Sequence, residues 1–258
     1  MTHSRRTFLA GAAAAGTVTI LPFTARAAGH AAHVFETSAG PVTVHPVNHA
    51  SLVLETPMGV IYVDPVGDAG LYAGLPAPDL VLVTHEHGDH YNAETLAAII
   101  PSDQPTPIIT NPAVHGMLSG DLASRSSAIA NGESTSFGDA TIDAIPAYNH
   151  TEGRTNFHPE GRDNGYVLTI GDFRIYISGD TEDIPEMRAL ADIDLCFLCM
   201  NLPFTMDAAA AASAVQEFKP TYVYPYHYRG RDDGTQDPAE FATLVGDATE
   251  VKFAEWYG

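Results

Sequence analysis

The hexapeptide His85-Glu86-His87-Gly88-Asp89-His90 places three imidazoles and two carboxylates within six residues. Histidine supplies only 12 of the 258 residues, so composition alone does not produce this density. Imidazole nitrogen and carboxylate oxygen are ligands of divalent transition metals. With Gly88 allowing a sharp backbone turn, His85 and His87 are expected to project to one side, and Asp89 and His90 to reach a neighbouring position. One loop then offers two ligands to each of two adjacent cations. Such a pair activates water for hydrolysis, because cation binding lowers the pKa of water from about 15.7 toward 7.

The elements around the hexapeptide must bring further ligands to it. Residues 79–84 are a continuous apolar run that reads as a buried strand ending at His85. Further strands are expected over residues 41–47, 51–56, 59–65, 106–110, 165–170, 173–180, 194–200, 221–228 and 251–257, with a hairpin over 133–148. Helices are expected over 92–100 with Asn92 as N-cap, from Pro112, over 182–192, over 207–218 with Asp207 as cap, and over 237–247. Residues 149–164 read as a polar loop. Asp64, His85, Asp180 and His227 all fall at the C-terminal ends of expected strands. Two mixed sheets packed face to face, with helices outside, converge those ends on one edge.

At 45% apolar and 17% charged residues the chain is long enough for one large globular domain. It carries 12 Lys+Arg against 32 Asp+Glu, a formal net charge of −20. That field opposes nucleic acid and anionic membrane surfaces and leaves a small-molecule substrate as the expected partner. Residues 1–27 read as an export signal: Arg5 and Arg6 precede an apolar run to Phe23, and a small-x-small site ends at Ala27. This resembles a twin-arginine signal, with a periplasmic or extracellular destination and no membrane association after cleavage. Residues 28–41 then form a linker and 42–258 the domain. Cys196 and Cys199 lie three apart in an apolar run. In a strand that separation is about 10 Å with side chains on opposite faces, whereas a disulfide needs Cα atoms within about 7 Å, so two buried thiols are expected.

The hexapeptide matches H-x-H-x-D-H, and "YVDP" at 62–65, "SGDT" at 178–181 and "YPYHYRG" at 224–230 follow in order. Together they resemble the metallo-β-lactamase superfamily. "NHASLVLET", "FHPEGRDNGYVL", "GDTEDIPEMRAL" and "MNLPFTMD" resemble its branch of proteins like L-ascorbate-6-phosphate lactonase. The resemblance implies an α/β (α+β) fold, a four-layer αββα sandwich of two mixed sheets with the metal site at one edge. It implies His85 and His87 as ligands of a first metal, Asp89, His90 and His227 of a second, and Asp180 as the bridge. For the third ligand of the first metal it points to His158, with His150 as the alternative. It implies Asp64 behind the metal loop, His49 near the site, and two divalent ions, zinc first and manganese or iron as alternatives. His30, His33, His45 and His115 read as isolated.

The expected activity is hydrolysis of a small lactone, ester or phosphoester, with Asp89, Asp180 and His49 as candidate catalytic residues. β-Lactam hydrolysis and non-catalytic, metal-dependent binding are the alternatives. Arg229, Asn201, Arg154 and Arg162 are candidate substrate contacts, since arginine grips carboxylate or phosphate bidentately.

Overall fold

The computed structural model describes residues 33–257; the expected export signal and residues 28–32 of the expected linker lie outside them, and the rest of that stretch is not a linker, since His33–Thr37 is already the first strand of a sheet. The first sheet runs in sequence order through β1 (His33–Thr37), β2 (Gly40–Asn48), β3 (Ser51–Thr56), β4 (Gly59–Val63), β5 (Leu80–Val83), β6 (Ile108–Thr110) and β7 (Ser126–Ala128). The second follows with β8 (Ser134–Phe137), β9 (Ala140–Ala147), β10 (Asp163–Ile170), β11 (Phe173–Ile177), β12 (Leu195–Cys199), β13 (Tyr222–Tyr226) and β14 (Glu250–Val251). Each sheet opens antiparallel and closes parallel: β1 to β4 and β8 to β11 are antiparallel, while β4 to β7 and β11 to β14 are parallel.

Strand periodicity explains the layers. Leu52 and Leu54 of β3, Ile61 and Val63 of β4 and Leu80 and Leu82 of β5 face the large core shared with the second sheet. Val53, Tyr62, Val81 and Val83, one position out of phase, face a second cluster with Leu96 of α1 (Ala93–Ile99) and Val114 of α2 (Pro112–Met117). The central strands are therefore apolar on both faces, as strands covered by helices must be. Truncating a fully buried leucine such as Leu82 to alanine should cost about 2–5 kcal/mol. Asn92 caps α1, its side chain accepting from Thr95 N–H, and Asn111 caps α2 in the same way.

Four local expectations are corrected. Residues 182–192 hold only α4 (Pro185–Arg188), because Ile184 is extended before Pro185 and Asp192 turns left-handed at φ +55°. Residues 251–257 pair only through Val251; the chain then leaves the ladder and buries Trp256 against Phe197, Tyr224 and Tyr226. The polar loop stops at residue 162, since Asp163 and Asn164 pair with Ala147 and Pro146. Finally, α3 (Gly120–Ser124) and β7, polar and short, occupy a stretch where no pattern announced them. The remaining helices, α5 (Ala208–Phe218) capped by Asp207 and α6 (Pro238–Val245), match expectation. Cys196 and Cys199 are buried free thiols in β12.

Candidate metal centre

The C-terminal ends of β4, β5, β11 and β13 meet at one edge of the sandwich and deliver Asp64, His85, Asp180 and His227 there. The hexapeptide turn is closed by hydrogen bonds from His90 N–H and Tyr91 N–H to the His87 carbonyl. Gly88 is not left-handed, and an added Cβ would meet nothing within 4 Å, so the glycine is not what forms the turn. At Gly179 the glycine is required: φ is +60°, and a Cβ would stand 2.7 Å from the Asn164 carbonyl. This lets the chain swing Asp180 into the site.

Asp180 joins two groups of ligands. Its Oδ1 lies 3.3 Å from His90 Nε2 and 3.4 Å from His227 Nε2, while its Oδ2 lies 3.4 Å from His158 Nε2. On one side, His85 Nε2 is 3.1 Å from His87 Nδ1, and His85, His87 and His158 converge. On the other, His227 Nε2 and His49 Nε2 lie 3.4 Å and 3.3 Å from Asp89 Oδ2. A tetrahedral ion with bonds of about 2.0–2.1 Å has ligand–ligand edges of about 3.3–3.4 Å. Most of these separations fall on that edge length. His90 Nε2, His227 Nε2 and Asp180 Oδ1 are buried without a hydrogen-bond partner. Three buried polar atoms aimed at one another and unsatisfied are costly unless a cation completes them. The donor set therefore fits divalent metal.

Electrostatics differ between the two sides. Burial, reinforced by His90, pushes His85 well below the ordinary imidazole range, and burial next to His158 lowers His87. Burial also works to lower His90, but the carboxylates of Asp180 and Asp64 outweigh it and raise His90 well above that range. Burial would raise the Asp180 carboxyl, yet His227 and His90 hold it well below the carboxylate range. Asp89 behaves alike: partial burial opposes ionisation, and the nearby His227 imidazole together with a hydrogen bond from His49 overcomes it.

Outer contacts fix the rings. Asp64, fully buried, accepts from Thr84 N–H and Thr84 Oγ1 and sits 2.7 Å from His90 Nδ1. A carboxylate on Nδ1 leaves the Nε2 lone pair for a cation. Asp163 does the same for His158, with Oδ2 3.0 Å from Nδ1, and Arg162 holds Asp163 through Nε and Nη2. The amide of Asn201 lies 2.6 Å from His227 Nδ1. Three residues here adopt left-handed backbone: His49 at φ +55°, Asp64 at +44° and His227 at +48°. Such conformations cluster where structure over-determines a functional geometry.

The structure thus brings together His85, His87, Asp89, His90, His158, Asp180 and His227, with Asp64 behind them and His49 beside Asp89. His150 lies outside: it is exposed, its Nε2 3.6 Å from Glu182. Arg154 pairs with Glu182 at 2.9 Å and Arg162 with Asp163 and Glu86, so both stabilise the loop. Asn201 is fully buried, its amide donating to the His227 carbonyl. Arg229 is exposed, its guanidinium 4.0 Å above the Tyr257 ring. Sequence reasoning missed Asp163, Glu182 and Tyr257. Glu182 is buried and accepts from His150 N–H and Thr151 N–H, tethering the loop that carries His158. Beside that loop a cavity of about 670 Å³ is lined by Tyr148, His150, Thr155, Asn156, Pro159 and Glu160.

A two-sheet sandwich with a His/Asp cluster at one edge defines a class, and comparison with known proteins agrees. Residues 43–227 match the model of the Beta-lactamase superfamily domain. The chain belongs to the metallo-β-lactamase superfamily and is a metal-dependent hydrolase. It is 32% identical over 178 residues to a UPF0173 metal-dependent hydrolase of Pyrococcus horikoshii, covering 67% of this chain and 76% of that protein. A second UPF0173 metal-dependent hydrolase, of Thermococcus kodakarensis, is 34% identical over 185 residues, covering 67% of this chain and 77% of that one. A solved structure from Parabacteroides distasonis shares 38% identity with a TM-score of 0.78, covering 88% of this chain and all of that one.

Proposed function

We propose that the site holds two divalent cations and hydrolyses a small lactone, ester or phosphoester. The observation that carries this reading is Asp180, whose two oxygens face two separate ligand groups. His85, His87 and His158 would hold one cation, Asp89, His90 and His227 the other, with Asp180 shared. Zinc suits the donors, as do manganese and iron. Bound there, the cations would lower the pKa of water toward about 7 and polarise the substrate's carbonyl or phosphoryl oxygen. The chain's own residues do the rest. Asp64, Asp163 and Asn201 orient the imidazoles, and Asp89 stays ionised at Oδ2 through the neutral range. The cavity beside the His158 loop has the size of a small-molecule pocket, about 300–1,000 Å³. Arg229 is the exposed cation nearest His227 in sequence and is assigned to an anionic group of the substrate.

The acidic chain and the expected twin-arginine signal support a periplasmic enzyme without nucleic-acid partners. The likeness of "FHPEGRDNGYVL" to L-ascorbate-6-phosphate lactonase relatives supports a lactone or sugar phosphate. Elemental analysis of the purified chain, followed by a panel of lactones, esters, thioesters and phosphodiesters, tests the proposal. Close to two metals per chain and chelator-sensitive turnover are expected. A metal-replete chain inert across the panel would overturn hydrolysis, and turnover of a chromogenic cephalosporin alone would redirect it to β-lactams.

A further inference from the structure

The chain beyond residue 227, past the matched family domain, returns to the site. Trp256 is fully buried among Phe197, Tyr224 and Tyr226, and its carbonyl accepts His49 N–H at 2.9 Å. Tyr257 follows with its hydroxyl 2.9 Å from His49 Nδ1. The same oxygen accepts Arg229 N–H at 3.2 Å, and the Arg229 guanidinium covers the ring. Burial pushes the phenol up, so the hydroxyl keeps its proton and can donate it to His49 Nδ1. An imidazole that accepts at Nδ1 carries its own proton on Nε2. His49 Nε2 is 3.3 Å from Asp89 Oδ2, a carboxylate about half exposed on the metal loop. His49 has further contacts that hold it: left-handed at φ +55°, its carbonyl accepts His227 N–H at 3.3 Å, and its ring lies 3.8 Å from that of His227.

We infer that Tyr257 and His49 are positioning residues, a hydrogen-bond chain from the C-terminal segment that presents Nε2–H to Asp89 and so fixes the carboxylate for the second cation. The inference rests on the paired-cation reading. It assigns His49 as a donor to a ligand, not as a ligand, and it makes residues 252–257 part of the site.

The test is a competition titration of Zn²⁺ against a chelating indicator, resolving both dissociation constants. His49→Ala should weaken one constant by about 10–100-fold and leave the other unchanged, the size of effect that partners of metal ligands have. Tyr257→Phe, which removes one oxygen, should weaken the same constant less and add nothing on the His49→Ala background. His49→Gln keeps an N–H and should recover most of the loss. In the zinc-loaded protein, long-range proton–nitrogen correlation should show His49 protonated at Nε2. Metal on His49 Nε2, a Gln variant as weak as Ala, or full additivity of the tyrosine and histidine changes would overturn the inference. A wild-type chain that binds a single metal refutes the paired reading by itself, and the His49 assignment is then decided on that one constant.

Discussion

The two sides of the candidate site reach the same purpose by different electrostatics. The His85, His87 and His158 side consists of three imidazoles, two of them held neutral by burial, with Asp163 behind one ring. The Asp89, His90 and His227 side is built on charge: His90 lies between two carboxylates, Asp64 and Asp180, that hold it protonated when no cation is present. On the proposed reading, the first side would take a metal at neutral pH without releasing a proton. The second would exchange a proton for one, since a ligating imidazole must give up its proton.

The largest effect that breaks this comparison comes from the shared residue. Asp180→Ala should remove the oxygen facing each side and cost several kcal/mol of transition-state stabilisation, about 10³-fold or more in kcat. Metal content should fall from about two per chain by elemental analysis. Unchanged turnover would show that the two sides do not act through Asp180.

Replacing the outer carboxylates separates the sides. Asp64→Asn should weaken the second cation by about 10–100-fold and Asp163→Asn the first by a similar factor, each sparing the other side. Stepwise Co²⁺ titration followed by absorbance reads this. Equal weakening of both constants by either variant would mean the sides are one cooperative unit.

Acidity gives a smaller, graded difference. Metal affinity of the second side should rise by about tenfold per pH unit above pH 6.5 until His90 deprotonates, one proton being released. The first side should be nearly flat over that range, because its lowered imidazoles have already lost theirs. The metal-free fold carries the opposite sign. A raised imidazole favours the folded state fully below its unfolded pKa near 6.5, and this contribution is lost as pH rises through the folded value. Titrations in buffers of different ionisation enthalpy count the protons.

The smallest effect is at the surface. Arg229→Ala should raise KM for anionic substrates by about fivefold or less, the scale of an exposed ion pair, with kcat unchanged. Neutral esters should show no change.

The cluster of candidate ligands was legible in the sequence, partly from the density of the hexapeptide and partly through the motifs that resemble the superfamily. His85 to His90 lie on one turn, and Asp180 and His227 announce themselves at strand ends. The choice between His158 and His150 was not settled by any period or spacing. It is decided by tertiary contacts: Asn149 N–H binds the His158 carbonyl, Asp163 takes the ring, and Glu182 holds His150 at the surface. Asp163, Glu182 and Tyr257 each look like ordinary single residues along the chain. Their roles exist only once β10, the segment after β11 and the C-terminal segment pack together. The pairing of Arg154 and Arg162 was hidden for the same reason, since their partners Glu86, Asp163 and Glu182 are distant or local acids that only the fold selects.

His49, Asp64 and His227 share a backbone region that L side chains avoid at a cost of about 1–3 kcal/mol each. Glycine would relieve that backbone cost, yet at Asp64 it would also leave the buried Thr84 N–H without its acceptor, a loss of about 1–3 kcal/mol. A thermostabilised descendant of this chain should therefore draw its gains from elsewhere than these strained positions.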